Sequence, residues 1–189
     1  MTKAELRTYY RQKRKELSPD KLEQLSEEIC KTAMSHFQLE NKVISLFLPI
    51  ERQHEINTYL IWEKASTFGA KIAVPKANFE THELTHILFE SHDQLEISEY
   101  GIPEPKKGII IPSIKFDFVF VPLLAVDKNG YRVGYGKGFY DRFLKKCSPN
   151  CRFIGLHLFD SEESIEDPLP SDISLHFCIT PTRVIQYVK

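Results

Sequence analysis

The sequence predicts an α/β fold: one three-layer domain over residues 1–189, with a mostly parallel central sheet and helices on both faces. Three observations lead there. Short apolar runs at residues 43–48, 71–75, 116–122 and 152–158 have the length and the β-branched or aromatic content of strands buried on both sides. Helical stretches alternate with them, which implies crossovers between parallel neighbours. A chain of 189 residues also buries a substantial core without metal or disulfide staples.

The elements follow in order. Residues 2–17 read as a helix with Leu6, Tyr9, Tyr10 and Leu17 apolar, and with Lys3, Arg7, Arg11 and Arg14 or Lys15 forming a basic stripe at i,i+4 spacing. Ser18-Pro19-Asp20 starts a second helix running to about Phe37. Serine suits the N-cap, and proline suits the first helical position because the N–H it lacks would be unpaired there anyway. Leu22, Leu25, Ile29 and Ala33 form its buried face. A strand at 43–48, a helix at 55–68 and a strand at 71–75 make a parallel pair with its crossover. Residues 84–89 read as a strand, and the Pro-rich stretch 93–112 as an ordered loop. The run 116–122 leads into a glycine-rich loop, residues 138–147 form the helix after it, and strands follow at 152–158, 177–180 and 184–188.

Composition narrows the function. The 25 basic and 26 acidic residues nearly cancel, so no global field favours nucleic acid or a membrane surface, and small-molecule partners are expected, with no obligate protein partner. Cys30, Cys147, Cys151 and Cys178 are scattered, which fits free thiols in a reducing, cytoplasmic setting. The N-terminus has no apolar leader, and no stretch approaches the ~18 apolar residues of a membrane span, so neither export nor membrane insertion is expected.

The chemistry concentrates in residues 127–142, where Gly130, Gly134, Gly136 and Gly138 are four of the chain's eight glycines. Such a loop suits a phosphate: glycine admits positive φ and close backbone approach, Arg132 and Lys137 add positive charge, and Asp141 offers oxygen to a divalent cation. It matches neither common nucleotide motif, because Gly-x-x-x-x-Gly-Lys-Ser/Thr is absent and Phe139 stands where a dinucleotide fold needs its third glycine. Its place between a buried strand and a helix N-terminus favours an anion. Two plainer readings compete. Asn129-Gly130 makes a turn by itself, and a carboxylate such as Asp141 in a first helical turn is favoured by the helix dipole with no ligand.

A rival motif is His82-Glu83-Leu84-Thr85-His86, the spacing of a zinc hydrolase helix in which Glu83 would be the general base. Phe89 occupies the position where the longer form of that motif needs glycine, and both methionines lie upstream. If the segment is a strand, His82 and His86 stand ~13 Å apart and cannot share an ion.

These residues carry a resemblance. Phe118-Val119-Phe120-Val121-Pro122, then Asp127 to Gly130, then Arg132 through Gly134-Tyr135-Gly136-Lys137-Gly138-Phe139-Tyr140-Asp141-Arg142 resemble the strand, turn and loop of the 5-formyltetrahydrofolate cyclo-ligase family, also called methenyltetrahydrofolate synthetase. Lys3-Ala4-Glu5-Leu6-Arg7, Glu55-Ile56-Asn57-Thr58, Gly101-Ile102-Pro103-Glu104-Pro105 and Pro170-Ser171-Asp172 fall around it in the family's order. The resemblance implies a three-layer α/β domain. It also implies the MgATP-dependent conversion of 5-formyltetrahydrofolate to 5,10-methenyltetrahydrofolate, with release of ADP and phosphate. It assigns ATP contacts to Lys3, Arg7, Arg132, Gly134, Gly136, Lys137, Gly138, Phe139 and Tyr140, and Mg²⁺ to Asp141 and Asp172. Glu55 falls at the pterin side of the folate, with Leu48, Tyr135, Gly136, Lys137, Gly138 and Phe139 lining its pocket. Lys137, Arg132 and Glu55 would carry the catalysis.

There are departures. Tyr135 stands where many relatives carry a basic residue, Phe139 replaces a usual tyrosine, and the spacing from Leu48 to Glu55 is longer than in some relatives, with Arg52 and His54 in that insert read as solvent-facing. The basic stripe is otherwise the pattern of a solvated face, and the resemblance lifts only Lys3 and Arg7 out of it. Arg11, Arg14 and Lys15 receive no role. A non-catalytic binding relative and the zinc hydrolase are the alternatives.

Overall fold

The computed structural model describes residues 1–160 and 163–188. Two helices come first, α1 (Lys3–Lys15) and α2 (Pro19–His36), then β1 (Val43–Ser45), α3 (Tyr59–Thr67), β2 (Lys71–Asn78) and β3 (Glu83–Leu88). A small ribbon of β4 (Leu95–Ile97) and β5 (Pro103–Pro105) follows, then β6 (Phe118–Pro122) and the hairpin β7 (Ala125–Val126) and β8 (Arg132–Val133). The chain finishes with α4 (Phe139–Leu144), β9 (Arg152–Leu156), β10 (Phe177–Ile179) and β11 (Val184–Gln186).

The main sheet has seven strands in the order β11-β10-β9-β6-β1-β2-β3. The pairs from β10 through β2 are parallel, while β3 and β11 close the edges antiparallel. The two-residue period of a strand assigns its faces. Phe120 of β6 and Ile154 and Leu156 of β9 join Ile29 and Ala33 of α2 and Ile61 of α3 on one side. Val119, Val121 and Phe153 point the other way, onto Phe143 and Leu144 of α4. Each fully buried side chain of this kind stabilises the fold by ~1.5–3 kcal/mol. The helix starts are as expected: Ser18 Oγ accepts from Lys21 N–H with Pro19 next, and α1 opens with a reciprocal Thr2–Glu5 capping box.

Several boundaries differ from the sequence expectation. The crossover helix starts at Tyr59 rather than 55, because Glu55 turns inward to accept the Ile50 N–H and the Thr58 hydroxyl donates to the Phe47 carbonyl. The stretch 93–112 contains the β4–β5 ribbon, hidden in the sequence because prolines at both ends of β5 argue against a strand. β6 does not run straight into the glycine loop, since the β7–β8 hairpin intervenes. The helix expected over 138–147 is only Phe139–Leu144, too short for a strong dipole.

The zinc reading fails on geometry. Glu83–Leu88 is strand β3, not a helix, and His82 lies just outside it at a positive φ of 57°. His86 is buried against Ser45, with its Nε2 2.8 Å from the Ser45 hydroxyl and its ring stacked on Phe143. Burial pushes its pKa down to about 3, so it is a neutral core residue.

Candidate active site

β1 is the switch point of the sheet: β2 and β3 extend it one way, and β6, β9 and β10 the other. Ligands in open α/β sheets bind beyond the carboxyl ends of strands at such a point. A cavity of about 750 Å³ lies there, bounded by Phe47, Leu48 and Ile50 after β1 and by Pro122 at the end of β6. It is large enough for a drug-sized ligand or two adjoining substrates. Helix α1 forms one wall because Leu6 and Tyr10 anchor it on Leu124, Ala125 and Val133 of the hairpin region. That packing aims Lys3 and Arg7 into the cavity.

One end is cationic. Arg132 donates to Asp141 Oδ1 at 2.9 Å and also to the Ile173 carbonyl. Asp141 Oδ1 accepts the Ile173 N–H at 3.0 Å as well, so this carboxylate cross-links two segments instead of capping its own helix. Lys3 Nζ meets Asp172 Oδ2 at 2.5 Å, and the Leu169 N–H donates to the same oxygen at 2.7 Å. Burial lowers the pKa of Arg132, opposed by the charge and hydrogen bond of Asp141. Arg7 Nε donates to the Gly134 carbonyl at 2.8 Å and lies against Gly136. Gly136 and Gly138 have φ of 98° and 68°, where only glycine is unstrained, and a Cβ on Gly136 would stand 3.4 Å from the Arg7 guanidinium. Gly134 has open space beside it and contributes its carbonyl. With α4 so short, positive charge at this end comes from side chains more than from a helix dipole.

Asp141 and Asp172 both line the cavity, and the hydrogen bonds above fall on one oxygen of each. Among the described residues no three His, Cys, Asp or Glu side chains form a metal cage. Two carboxylates beside Lys3 and Arg132 fit the donor set that a Mg²⁺ keeping phosphate and water ligands would need.

The other end is aromatic. Phe79 and Tyr100 stack with centroids 3.9 Å apart, and Phe139 meets Phe79 edge-on at 5.2 Å. Lys137 Nζ lies 5.3 Å above the Phe79 ring, at the boundary between the two ends. Leu48, packed on Val74 and Phe89, adds an aliphatic surface. Glu104 is buried on this side and accepts the Ala77 N–H at 2.8 Å, and burial raises its pKa.

Glu55 closes the floor. Its Oε2 accepts the Ile50 N–H at 2.8 Å and its Oε1 the Tyr135 hydroxyl at 2.5 Å, while Arg14 Nη1 stands 3.9 Å away. Desolvation raises its pKa, with Arg14, Tyr135 and the Ile50 N–H pulling the other way. The Tyr140 hydroxyl is buried without a hydrogen-bond partner and feels the charges of both Glu55 and Arg132. A native protein rarely leaves such a group unpaired, and its place on a cavity wall points to a ligand atom.

Thus the expected residues Lys3, Arg7, Leu48, Glu55, Arg132, Gly134 through Asp141 and Asp172 all line one cavity. Arg52 is exposed, as expected, and its side chain also lines the cavity and donates to the Tyr100 carbonyl. Arg14, left without a role, is buried at the centre of a hydrogen-bonded group. The signal for it was present: Arg14 lies four residues after Tyr10 and eight after Leu6, on the buried face of α1. Phe79, just after β2, meets Tyr100 and Glu104 of the β4–β5 ribbon only through the folding of the sheet.

Similarity to known proteins follows the same geometry. The NMR structure of Aquifex aeolicus 5,10-methenyltetrahydrofolate synthetase superposes with a TM-score of 0.78 at 28% identity, covering 98% of this chain and 93% of that one. The 5-formyltetrahydrofolate cyclo-ligase of Haemophilus influenzae is 28% identical, over 89% of this chain and 90% of its own. That of Escherichia coli K12 is 26% identical over 94% and 99%. The profile of the 5-formyltetrahydrofolate cyclo-ligase family matches residues 1–174, which include every cavity residue named above, and on that match the chain belongs to this family.

Proposed function

We propose that this chain closes the ring of 5-formyltetrahydrofolate to 5,10-methenyltetrahydrofolate, consuming ATP and releasing ADP and phosphate. The observation that carries the proposal is the single cavity in which a cationic end, Lys3, Arg7, Arg132 and Lys137, adjoins an aromatic end, Phe79, Tyr100 and Phe139. A triphosphate suits the first and a pteridine ring the second.

A formyl amide is a weak electrophile, so its oxygen must be activated. In the proposed sequence that oxygen attacks the γ-phosphorus, a new P–O bond forms, and the bond to ADP breaks. N10 then attacks the formyl carbon, phosphate departs with the former formyl oxygen, and N10 gives up its proton. Arg132, Lys137 and Arg7 spread the charge of phosphoryl transfer, and the glycine loop aligns the phosphates. Asp141 and Asp172 would hold a Mg²⁺, which would supply charge neutralisation during phosphoryl transfer. Tyr140 offers its unpaired hydroxyl to a substrate oxygen. Glu55 orients the folate and takes up a proton from its nitrogen. The four cysteines are free thiols, which supports placing the reaction in a reducing compartment such as the cytoplasm.

The test follows the near-ultraviolet band of the methenyl product in purified protein with 5-formyltetrahydrofolate and MgATP, beside an ATP-free control. ATP-dependent growth of the band is expected. A flat trace from folded protein that still binds both compounds would leave a non-catalytic relative instead.

A further inference from the structure

Arg14 does not border the cavity, yet its side chain is 3% exposed and its Nη1 contacts lead to Tyr135 and Glu55 on the cavity floor. Its Nη2 donates to the Leu123 carbonyl at 2.6 Å, just after β6. Its Nη1 donates to the Tyr135 hydroxyl at 3.1 Å and stands 3.9 Å from Glu55 Oε1. Tyr135 in turn donates its hydroxyl to Glu55 Oε1, so the order is arginine, phenol, carboxylate. Because Arg14 occupies the phenol's acceptor side, the hydroxyl has one orientation left, toward Glu55.

We infer that Arg14 is a positioning residue for the proposed reaction: from behind the cavity wall it directs the Tyr135 hydroxyl onto Glu55 and supplies the charge that balances that carboxylate. This rests on the reading of Glu55 as the group that orients folate and accepts its proton. The groups facing Glu55 are Arg14 from α1, Tyr135 from the loop after β8, the Ile50 N–H from the loop after β1, and Tyr140 from α4, with Arg132 beyond Tyr140. Of these, Arg14 is the cation in ion-pair range. A buried carboxylate without a cation is driven toward its neutral acid, which can neither accept a proton nor take the Tyr135 hydrogen bond in the same way.

The geometry also specifies a rescue. Position 135 already reaches Glu55, so an arginine placed there returns a positive charge to the same oxygen from the other side. The variants are therefore Arg14→Met, which keeps bulk and removes charge, and Arg14→Met combined with Tyr135→Arg.

Two readouts decide. The first is the pH profile of kcat for methenyl formation. Arg14→Met should move the acid limb up by about one pH unit or more, leave KM for MgATP within about twofold, and recover most of its rate at high pH. Adding Tyr135→Arg should move the limb back. The second readout needs no turnover: the carbon-13 carboxyl resonance of Glu55, assigned by its loss in Glu55→Gln, is titrated in the ligand-free protein. Its midpoint should rise in Arg14→Met and fall again in the double variant. A uniform loss of rate at all pH values, with an unmoved Glu55 midpoint, would show Arg14 to be structural only and overturn the inference. If Arg14→Met does not fold, Tyr135→Phe removes one hydroxyl and must shift the midpoint the same way by a smaller amount; an unmoved midpoint there also overturns it. Wild-type protein that makes no product sinks the folate reading, while the Glu55 titration still decides whether Arg14 balances that carboxylate.

Discussion

The cationic end of the cavity and its floor, here the open and the closed end, hold charge in opposite ways. At the open end Arg132 meets Asp141 directly at 2.9 Å and the carboxylate is 26% exposed. At the closed end Glu55 and Arg14 are each 3% exposed, 3.9 Å apart, with a phenol bridging them. With its carboxylate partly in water the Arg132–Asp141 pair loses less solvation, although Arg132 itself is buried, whereas burying both charges costs several kcal/mol per ion before any attraction is counted. The open end is therefore suited to charges that come and go with phosphates and a cation. The closed end holds a carboxylate whose pKa burial raises against the pull of Arg14 and Tyr135, the environment that the proposed proton transfer calls for.

Variants at the open end should cost activity more than stability. Arg132→Met is the most severe change, since it removes a buried cation that pairs with Asp141 and donates to the Ile173 carbonyl. We expect kcat to fall by roughly 10³-fold, in the range seen when a charge-stabilising donor is lost. A loss below about tenfold in the same assay would take Arg132 out of the chemistry. Asp141→Asn retains an oxygen for Arg132 and the Ile173 N–H, so turnover should fall by about 10²-fold while thermal unfolding moves only a few degrees. Equal damage to both would make Asp141 a structural cross-link. Lys137→Ala, next in size, should raise KM for MgATP by about tenfold and leave folate affinity, measured by titration, nearly intact. Unchanged ATP kinetics would remove Lys137 from that end and weaken the division itself.

The contrast between the ends also explains what could be read from sequence. The parallel core was legible because β1, β2, β6 and β9 are continuous apolar runs, and α2 because Ser18-Pro19 is a local start signal. The open end was legible for the same reason: Arg132, Lys137 and Asp141 lie within ten residues, and local spacing displays them. The closed end assembles Arg14, Glu55 and Tyr135 across 121 residues of chain between the first and last, and no spacing rule reveals such a group. Arg14 was misplaced because a stripe at i,i+4 looks alike on a wet face and on a buried one. The aromatic end was missed at Phe79 and Tyr100, which sit in a turn after β2 and in the β4–β5 ribbon that the prolines disguise.

The smallest effect expected concerns a second buried carboxylate of the cavity, and it is a matter of sign. Glu104 accepts the Ala77 N–H but makes no direct ion pair among the described residues, so burial dominates and its folded pKa is raised. A raised folded pKa means that the folded state binds more protons than the unfolded chain between the two values. The group's contribution to stability is thus full below its unfolded pKa of about 4.3 and is lost as pH rises through the folded value. Glu104→Gln keeps the acceptor for Ala77 N–H and removes the charge. Its melting temperature relative to wild type should therefore be higher at pH 7 than at pH 4. The reverse slope would mean that Lys76, which lowers the Glu104 pKa from nearby, outweighs desolvation. Glu104 would then belong with the charge-paired carboxylates of the open end, and the division would follow the supply of cations and not the depth of burial.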